Sequence, residues 1–341
     1  MQQSRFRAGV WIGGLAVVLL GVVCWAATVG VLDVSVLAVG LIVLDELGVV
    51  GFTPSGQYHS YVVLQLRLPR IVLSAAVGFA LAAAGTVMQG FFQNPMADPS
   101  IIGVSSGAAA GAVLLLTLPV TIPYGIPLAA FLGAMITAFA VYLIATTDGR
   151  TPVATLLLAG VAVQTLLGAT ISLLLVRAES QELKSAILWL MGSLANTQWD
   201  EALLVAGVSV GLVSVLVAFA RDLNVLLLGE ADAHALGVDV RWTRRLLLAL
   251  SSLITGAAVA FVGVVGFVGL VVPHVLRLLV GPDHRILLPA SALGGATFLV
   301  LADTLARSAL GGVEIPVGIV TAFVGAPFFL YLLQRREVHA L

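Results

Sequence analysis

Long uncharged apolar runs alternate with short polar breaks along most of this chain. A helix that crosses a membrane needs about 20 apolar residues. Ala8–Leu32 is the first such run, with Arg5 and Arg7 before it. A positive start before an apolar run also describes a secretory signal, but this run is too long for a signal core and has no evident small-residue cleavage site. It is expected to be a retained first span. Asp33–Ser60 is mixed, with Asp45, Glu46 and a Pro54-Ser55-Gly56 turn. It is expected to lie outside the bilayer with a surface-lying helical piece. Leu68–Phe92 reads as the second span. Pro69 is tolerated there because a first helical turn has no internal partner for its N–H.

Gln93–Ser100 breaks the pattern with two prolines, and a third run starts at Ile101 and ends before Pro119 and Pro123. Ile126–Thr147 is the fourth span, closed by Asp148 to Pro152, and Val153–Val176 is the fifth. Arg177–Asp200 is polar at both ends. Its apolar centre, Ala186–Leu194, is too short to cross and predicts a surface or half-inserted helix. Glu201–Ala220 is the sixth span and Leu246–Val272 the seventh, ended by Pro273. His274–Val280 is a short eighth piece that needs residues borrowed from the seventh, across Gly263, Gly266 and Gly269. Ile286–Leu305 and Pro316–Leu333 complete ten.

The stretch Arg221–Arg245 stands apart. It holds a large share of the charge, with Arg221 and Asp222 at its start and Arg241, Arg244 and Arg245 at its end. Two short apolar pieces, Asn224–Leu228 and Ala231–Leu236, are followed by Gly229 and Gly237. This predicts two short helices lying flat, which suits a docking platform for a partner protein better than a plain hinge.

Composition narrows the class. The 341 residues are 60% hydrophobic and 10% charged, where soluble domains carry about 25% charged residues. This is an all-α polytopic membrane protein, read as one transmembrane domain over residues 1–341. The 36 glycines suit helices that pack closely in lipid. Cys24 is the only cysteine, so there is neither a disulfide framework nor a thiolate metal site. Apart from Lys184, every basic residue is arginine, and Lys184 sits in QELKSA rather than after a glycine-rich turn. The chain therefore has no Walker A loop and cannot hydrolyse ATP by that route. No cofactor and no nucleic-acid partner is expected.

Orientation follows from the basic residues. With the N-terminus cytoplasmic and ten spans, Arg5, Arg7, Arg150, Arg221, Arg241, Arg244, Arg245, Arg277, Arg285, Arg335 and Arg336 lie inside. Arg67, Arg70, Arg177, Lys184 and Arg307 lie outside. Eleven against five obeys the positive-inside rule, which the opposite orientation breaks. The Arg221–Arg245 platform and both termini are thus expected in the cytoplasm of a cell-membrane protein.

Candidate chemistry is sparse. Gly103-Val-Ser-Ser-Gly107 matches G-x-S-x-G, but that motif needs a strand-to-helix elbow, and here it opens an apolar helix. An intramembrane protease with Ser105 or Ser106 and His274 is the enzymatic alternative. Close packing explains Gly103, Ser105, Ser106, Gly107 and Gly111 better. Intramembrane charge marks function by default. Asp98, His274, Arg277, Asp303, Arg307 and Glu314 all fall at predicted boundaries rather than mid-span. A proton-coupled secondary transporter, the other alternative, would want a carboxylate deep in a span.

Four stretches carry a resemblance: QNPMADPSIIGVSSGAAAG, GEADAHALGV, FVGLVVPHVLRLLVGPDHRILLPASALGG, and ADTLAR followed by EIPVGIVTAFVGAPFFLYLL. In this order and spacing, from about Leu66 to the C-terminus, they resemble the permease family of type II ATP-binding-cassette importers for iron chelates and vitamin B12. The resemblance implies ten spans per subunit, a homodimer with the pathway on its two-fold axis, two cytoplasmic ATP-binding subunits and an external substrate-binding protein. It implies that Leu223, Gly229, Glu230, Ala235, Leu236 and Gly237 engage the ATPase. It gives Arg67, Arg70 and Arg307 to docking of the binding protein. It also implies that the fifth span lines the path, with Gln164, Thr165 and Ser172 as polar spots. The cargo would be a metal chelate: cobalamin, ferric siderophore or haem. Transport would proceed by alternating access.

Overall fold

The computed structural model describes residues 2–30, 32, 34–49, 57–120, 122–146, 151–310 and 313–334. Asp33, the Pro54-Ser55-Gly56 turn, Asp148 to Arg150, Arg335 and Arg336 lie outside these. Among the described residues, fifteen α-helices follow in order: α1 Gln2–Thr28, α2 Val36–Glu46, α3 Gln57–Tyr61, α4 Leu68–Phe92, α5 Val104–Leu116, α6 Gly125–Ala145, α7 Val153–Arg177, α8 Ser180–Leu190, α9 Trp199–Ala218, α10 Ala220–Leu226, α11 Glu230–Ala235, α12 Val240–Val262, α13 Val268–Val280, α14 His284–Ser308 and α15 Val317–Gln334. Among the described residues, seven helices are long and apolar enough to cross a membrane, and three shorter apolar ones (α5, α13, α15) accompany them.

The core is built around α4, whose alanines and glycines let neighbouring backbones approach closely. A Cβ at Gly78 would lie 2.1 Å from the Gly295 carbonyl oxygen of α14. One at Gly85 would lie 2.0 Å from the Gly269 carbonyl of α13. The same device closes the α5–α6 pair, where a Cβ at Gly111 would meet the Ala129 carbonyl at 2.1 Å. That accounts for the small residues of the G-x-S-x-G stretch. A 3₁₀ turn, not a strand, leads into it, over Pro99–Ile102.

Several boundaries differ from expectation. The second span does not begin at Leu68: helix runs unbroken from α3 through a π-helical turn, Val62–Arg67, into α4. Pro69 cannot donate to the Gln65 carbonyl and its ring crowds that group. The wider π turn just before it absorbs the conflict, and the nearby Leu64 carbonyl accepts the Trp199 indole N–H at 2.8 Å. The seventh span ends at Val262 rather than before Pro273, because Gly263 turns the chain with φ +75°. Pro273 instead lies inside α13. The eighth helix thus takes its extra length from Val268 onward. The N–H that Pro273 lacks is answered from α4, where Gln89 Nε2 donates to the carbonyls of Gly269 (3.3 Å) and Leu270 (3.1 Å). The platform helices start earlier than predicted, at Ala220 and Glu230. The surface helix appears as α8, closed at its start by a Glu179/Glu182 capping box.

Candidate functional site

At one end of the bundle, the turns after α4, α9 and α13 come together with α10 and α11. The chain leaves α10 through Gly229 (φ +105°) and α11 through Gly237 (φ +83°), conformations that side chains with a Cβ resist. Between them α11 buries only Ala233. Ala235, Leu236 and Gly237 are exposed, Leu236 by 56%. Glu230 is exposed and pairs with Arg244 of α12, whose guanidinium also lies 5.8 Å from the Phe91 ring. A recess of about 690 Å³ runs along α11, lined by Glu230, Ala231, His234, Gly237, Asp239 and Arg241. Five of the six expected platform residues therefore sit on or beside one surface. Leu223 does not: it is fully buried and packs toward Gly90 at the end of α4. It supports the platform from beneath and cannot touch a partner.

α7 differs from the core helices in burying only Leu156, Ala159 and Gly160. Thr165 and Ser172 lie on its exposed length, their hydroxyls donating to the Val161 and Gly168 carbonyls of the same helix. Gln164 turns inward and donates to the Ile101 carbonyl at 2.8 Å. It anchors α7 to the segment after α4, so its polar group is committed within the chain. In that segment, the half-buried Asp98 accepts from the Ser100 N–H at 2.8 Å. Loss of solvent nevertheless pushes its carboxyl above the usual range, against those hydrogen bonds.

The opposite end holds the three arginines expected to face a binding protein, and the structure turns them inward. Arg67 is 5% exposed and donates to the carbonyls of Ala27 (2.8 Å) and Thr28 (3.0 Å), and to that of Leu32. Arg307 donates to the Ala26 carbonyl. Both guanidinium groups thus satisfy the last carbonyls of α1, where a positive charge is favoured by the helix dipole. Arg70 makes a two-pronged pair with Asp303, through Nε (3.0 Å) and Nη2 (2.9 Å), and reaches Glu314 with Nη1 at 2.9 Å. The Arg70 and Asp303 side chains are 11% and 2% exposed. A guanidinium used this way ties helices of the bundle together and is not offered to a partner. Charge counting located these residues correctly at a single end, but nothing in a linear sequence marks a carbonyl as their acceptor.

Reasoning from the sequence also missed Asn224, Asp283 and His284, which join the platform to α14. The one signal was an asparagine inside the Asn224–Leu228 piece, read there only as part of an apolar run. Among the described residues no group of three or more His, Cys, Asp or Glu is placed to hold a metal ion.

Comparison with known proteins agrees with this architecture. A solved structure described as an inward-facing metal-chelate type ABC transporter superposes with a TM-score of 0.84 at 34% identity, covering 95% of this chain and 98% of that one. The fold is therefore that of a multi-pass ABC-transporter permease. The model of the FecCD transport family matches residues 16–335, and the chain belongs to that family. Its relatives include the cobalamin import system permease protein BtuC of Halobacterium salinarum, 50% identical over the whole of both chains. The hemin transport system permease protein HmuU of Yersinia pestis is 43% identical over 84% of this chain and 86% of its own.

Proposed function

We propose that this chain is the membrane-spanning subunit of an importer that moves a bulky metal chelate inward, with cobalamin as its cargo. Ferric siderophore and haem are the competing cargoes. The observation that carries the reading is identity of 50% along the entire length with a permease named for cobalamin import. The subunit works as a homodimer with two ATP-binding subunits on the platform side and a substrate-binding protein on the other. It makes and breaks no bonds. Gly229, Glu230, Ala235, Leu236 and Gly237 form the ATPase contact, a role that the exposure of all but the half-buried Gly229 supports, and Leu223 backs them. The bare face of α7, with Thr165 and Ser172, lines the path at the two-fold axis. The platform and both termini face the cytoplasm. Arg67, Arg70 and Arg307 shape the surface the binding protein meets by holding α1, α4 and α14 in place.

ATP binding closes the ATPase pair, the platforms move, and the path changes from outward to inward access. The test is uptake of radiolabelled cobalamin, haemin and a ferric siderophore into proteoliposomes holding the permease, its ATPase and its binding protein. Vanadate-sensitive uptake of cobalamin above the other two is expected. Uptake without the ATPase, driven by a proton gradient, would overturn the importer reading. ATP-driven preference for haemin or siderophore would reassign the cargo alone.

A further inference from the structure

The two platform helices are fastened to different parts of the molecule. α11 is held through Glu230 and Arg244 to α12. α10 is held to α4 and α14. Leu223 and Leu226 of α10 are buried, and the Leu226 carbonyl accepts from Gln93 Nε2 at the end of α4 (3.1 Å). Among the described residues, the polar link to α14 runs through one side chain. Asn224 Nδ2 donates to Asp283 Oδ1 at 2.6 Å, and its Oδ1 accepts from the His284 backbone N–H at 2.9 Å. His284 Nδ1 lies 2.8 Å from the same oxygen. Because that Asn224 atom is an acceptor, Nδ1 carries the imidazole proton and Nε2 is bare. His284 is 1% exposed, and a Cβ at Gly90 would come within 2.7 Å of Nε2. Only a glycine on α4 lets the ring lie there. Asp283 meanwhile caps α14 by accepting from the Arg285 N–H at 3.0 Å.

We propose that Asn224 is the positioning residue through which platform movement reaches the transport helices. The inference rests on the importer reading above. α10 and the Asp283–His284 corner move as one body with α14 and, through the turn at Gly281, with the end of α13. Gly229, where a Cβ would meet nothing within 4 Å, joins α10 directly to α11, so a displacement of α11 by the ATPase is handed along the chain to α10. An amide suits the task because it donates to a carboxylate and accepts two N–H groups at once. No apolar residue does either, and a carboxylate would face Asp283 with like charge.

The test compares substrate imported per ATP hydrolysed in proteoliposomes of the complete transporter, using whichever radiolabelled chelate the wild type imports. Asn224→Leu keeps the number and branching of the side-chain heavy atoms and removes all three hydrogen bonds. It is expected to co-purify with the ATPase and hydrolyse ATP, while import per ATP falls about tenfold, the scale set by leaving the donors of the buried His284 unpaired. Asn224→Asp alone should lower the ratio as well. Asn224→Asp combined with Asp283→Asn should recover part of it. The amide at position 283 then donates to the carboxylate at 224, which removes the like-charge clash, while the cap on the Arg285 N–H, made in the wild type by the same Asp283 oxygen, is given up. A wild-type ratio in assembled Asn224→Leu would overturn the proposal. If that variant does not fold, a paired exchange that stays as uncoupled as Asn224→Asp overturns it instead. Wild-type protein that shows no ATP-driven import would defeat the importer reading itself, a separate outcome.

Discussion

Gln89 donates its side-chain amide to the Gly269 carbonyl, the group that Pro273 deprives of its helical N–H four residues on. Two helices distant in sequence are thereby matched, a proline defect in α13 with a polar side chain in α4. Gln89→Leu should destabilise the protein by about 1–3 kcal/mol through the unpaired carbonyl. In a Pro273→Ala background, where the backbone N–H returns, the same change should cost far less. Thermal unfolding of the four proteins in detergent checks this, and equal losses in both backgrounds would refute the pairing.

The backbone crossing of α4 and α13 allows no side chain at position 85. Gly85→Ala must push a methyl into the Gly269 carbonyl, 2.0 Å away. An overpacking loss of about 1–3 kcal/mol is expected. Gly168 on α7 has nothing within 4 Å, so Gly168→Ala serves as the control and should match the wild type or exceed it slightly. The comparison is of unfolding temperatures, and a tolerated Gly85→Ala would mean that the two helices do not cross there.

For Arg70 and Asp303, burial sets the sign of the effect. Asp303→Leu leaves a buried guanidinium with only Glu314, and Arg70→Met leaves a buried carboxylate. Each should cost about 3–5 kcal/mol. The double change should recover most of that loss, because packed apolar groups replace a buried pair at little cost. A double variant as unstable as either single one, by denaturation midpoint, would show that the pair has a further role.

The exposed tip of α11 gives the opposite expectation. Leu236→Asp alters a residue that is 56% exposed, so folding of the permease alone should change by no more than about 0.5 kcal/mol. Co-purification of the ATPase should nevertheless be lost, since a carboxylate would be buried without a partner at the interface. Retained co-purification would remove Leu236 from the contact.

Most of this fold was legible because apolar run length reports directly on spanning helices. α6, α7, α9 and α15 fall within a residue or two of their expected bounds. The failures share a cause. Pro69 and Pro273 read as boundaries in the sequence, yet both lie within helices because a π turn or a side chain from elsewhere compensates for the missing N–H. Local sequence marks the defect and not its repair. The two short helices α10 and α11 were legible from the charge and the glycines around them, whereas the inward turn of Arg67 was not. Its acceptors are backbone carbonyls at the end of α1, some forty residues away in sequence.

α13 also bears on how the protein is made. Thirteen residues rise about 20 Å, short of the roughly 30 Å of hydrocarbon. Its α12 side continues as non-helical backbone from Gly263 to Phe267, and just before it the Val262 carbonyl is met by Ser193 N–H at 2.8 Å. Such backbone is stable at membrane depth only when protein surrounds it. During synthesis, α13 therefore cannot partition into lipid as an independent segment. Its place in the membrane depends on α4 and α14, which pack against it. For this stretch, membrane insertion and tertiary folding are a single event.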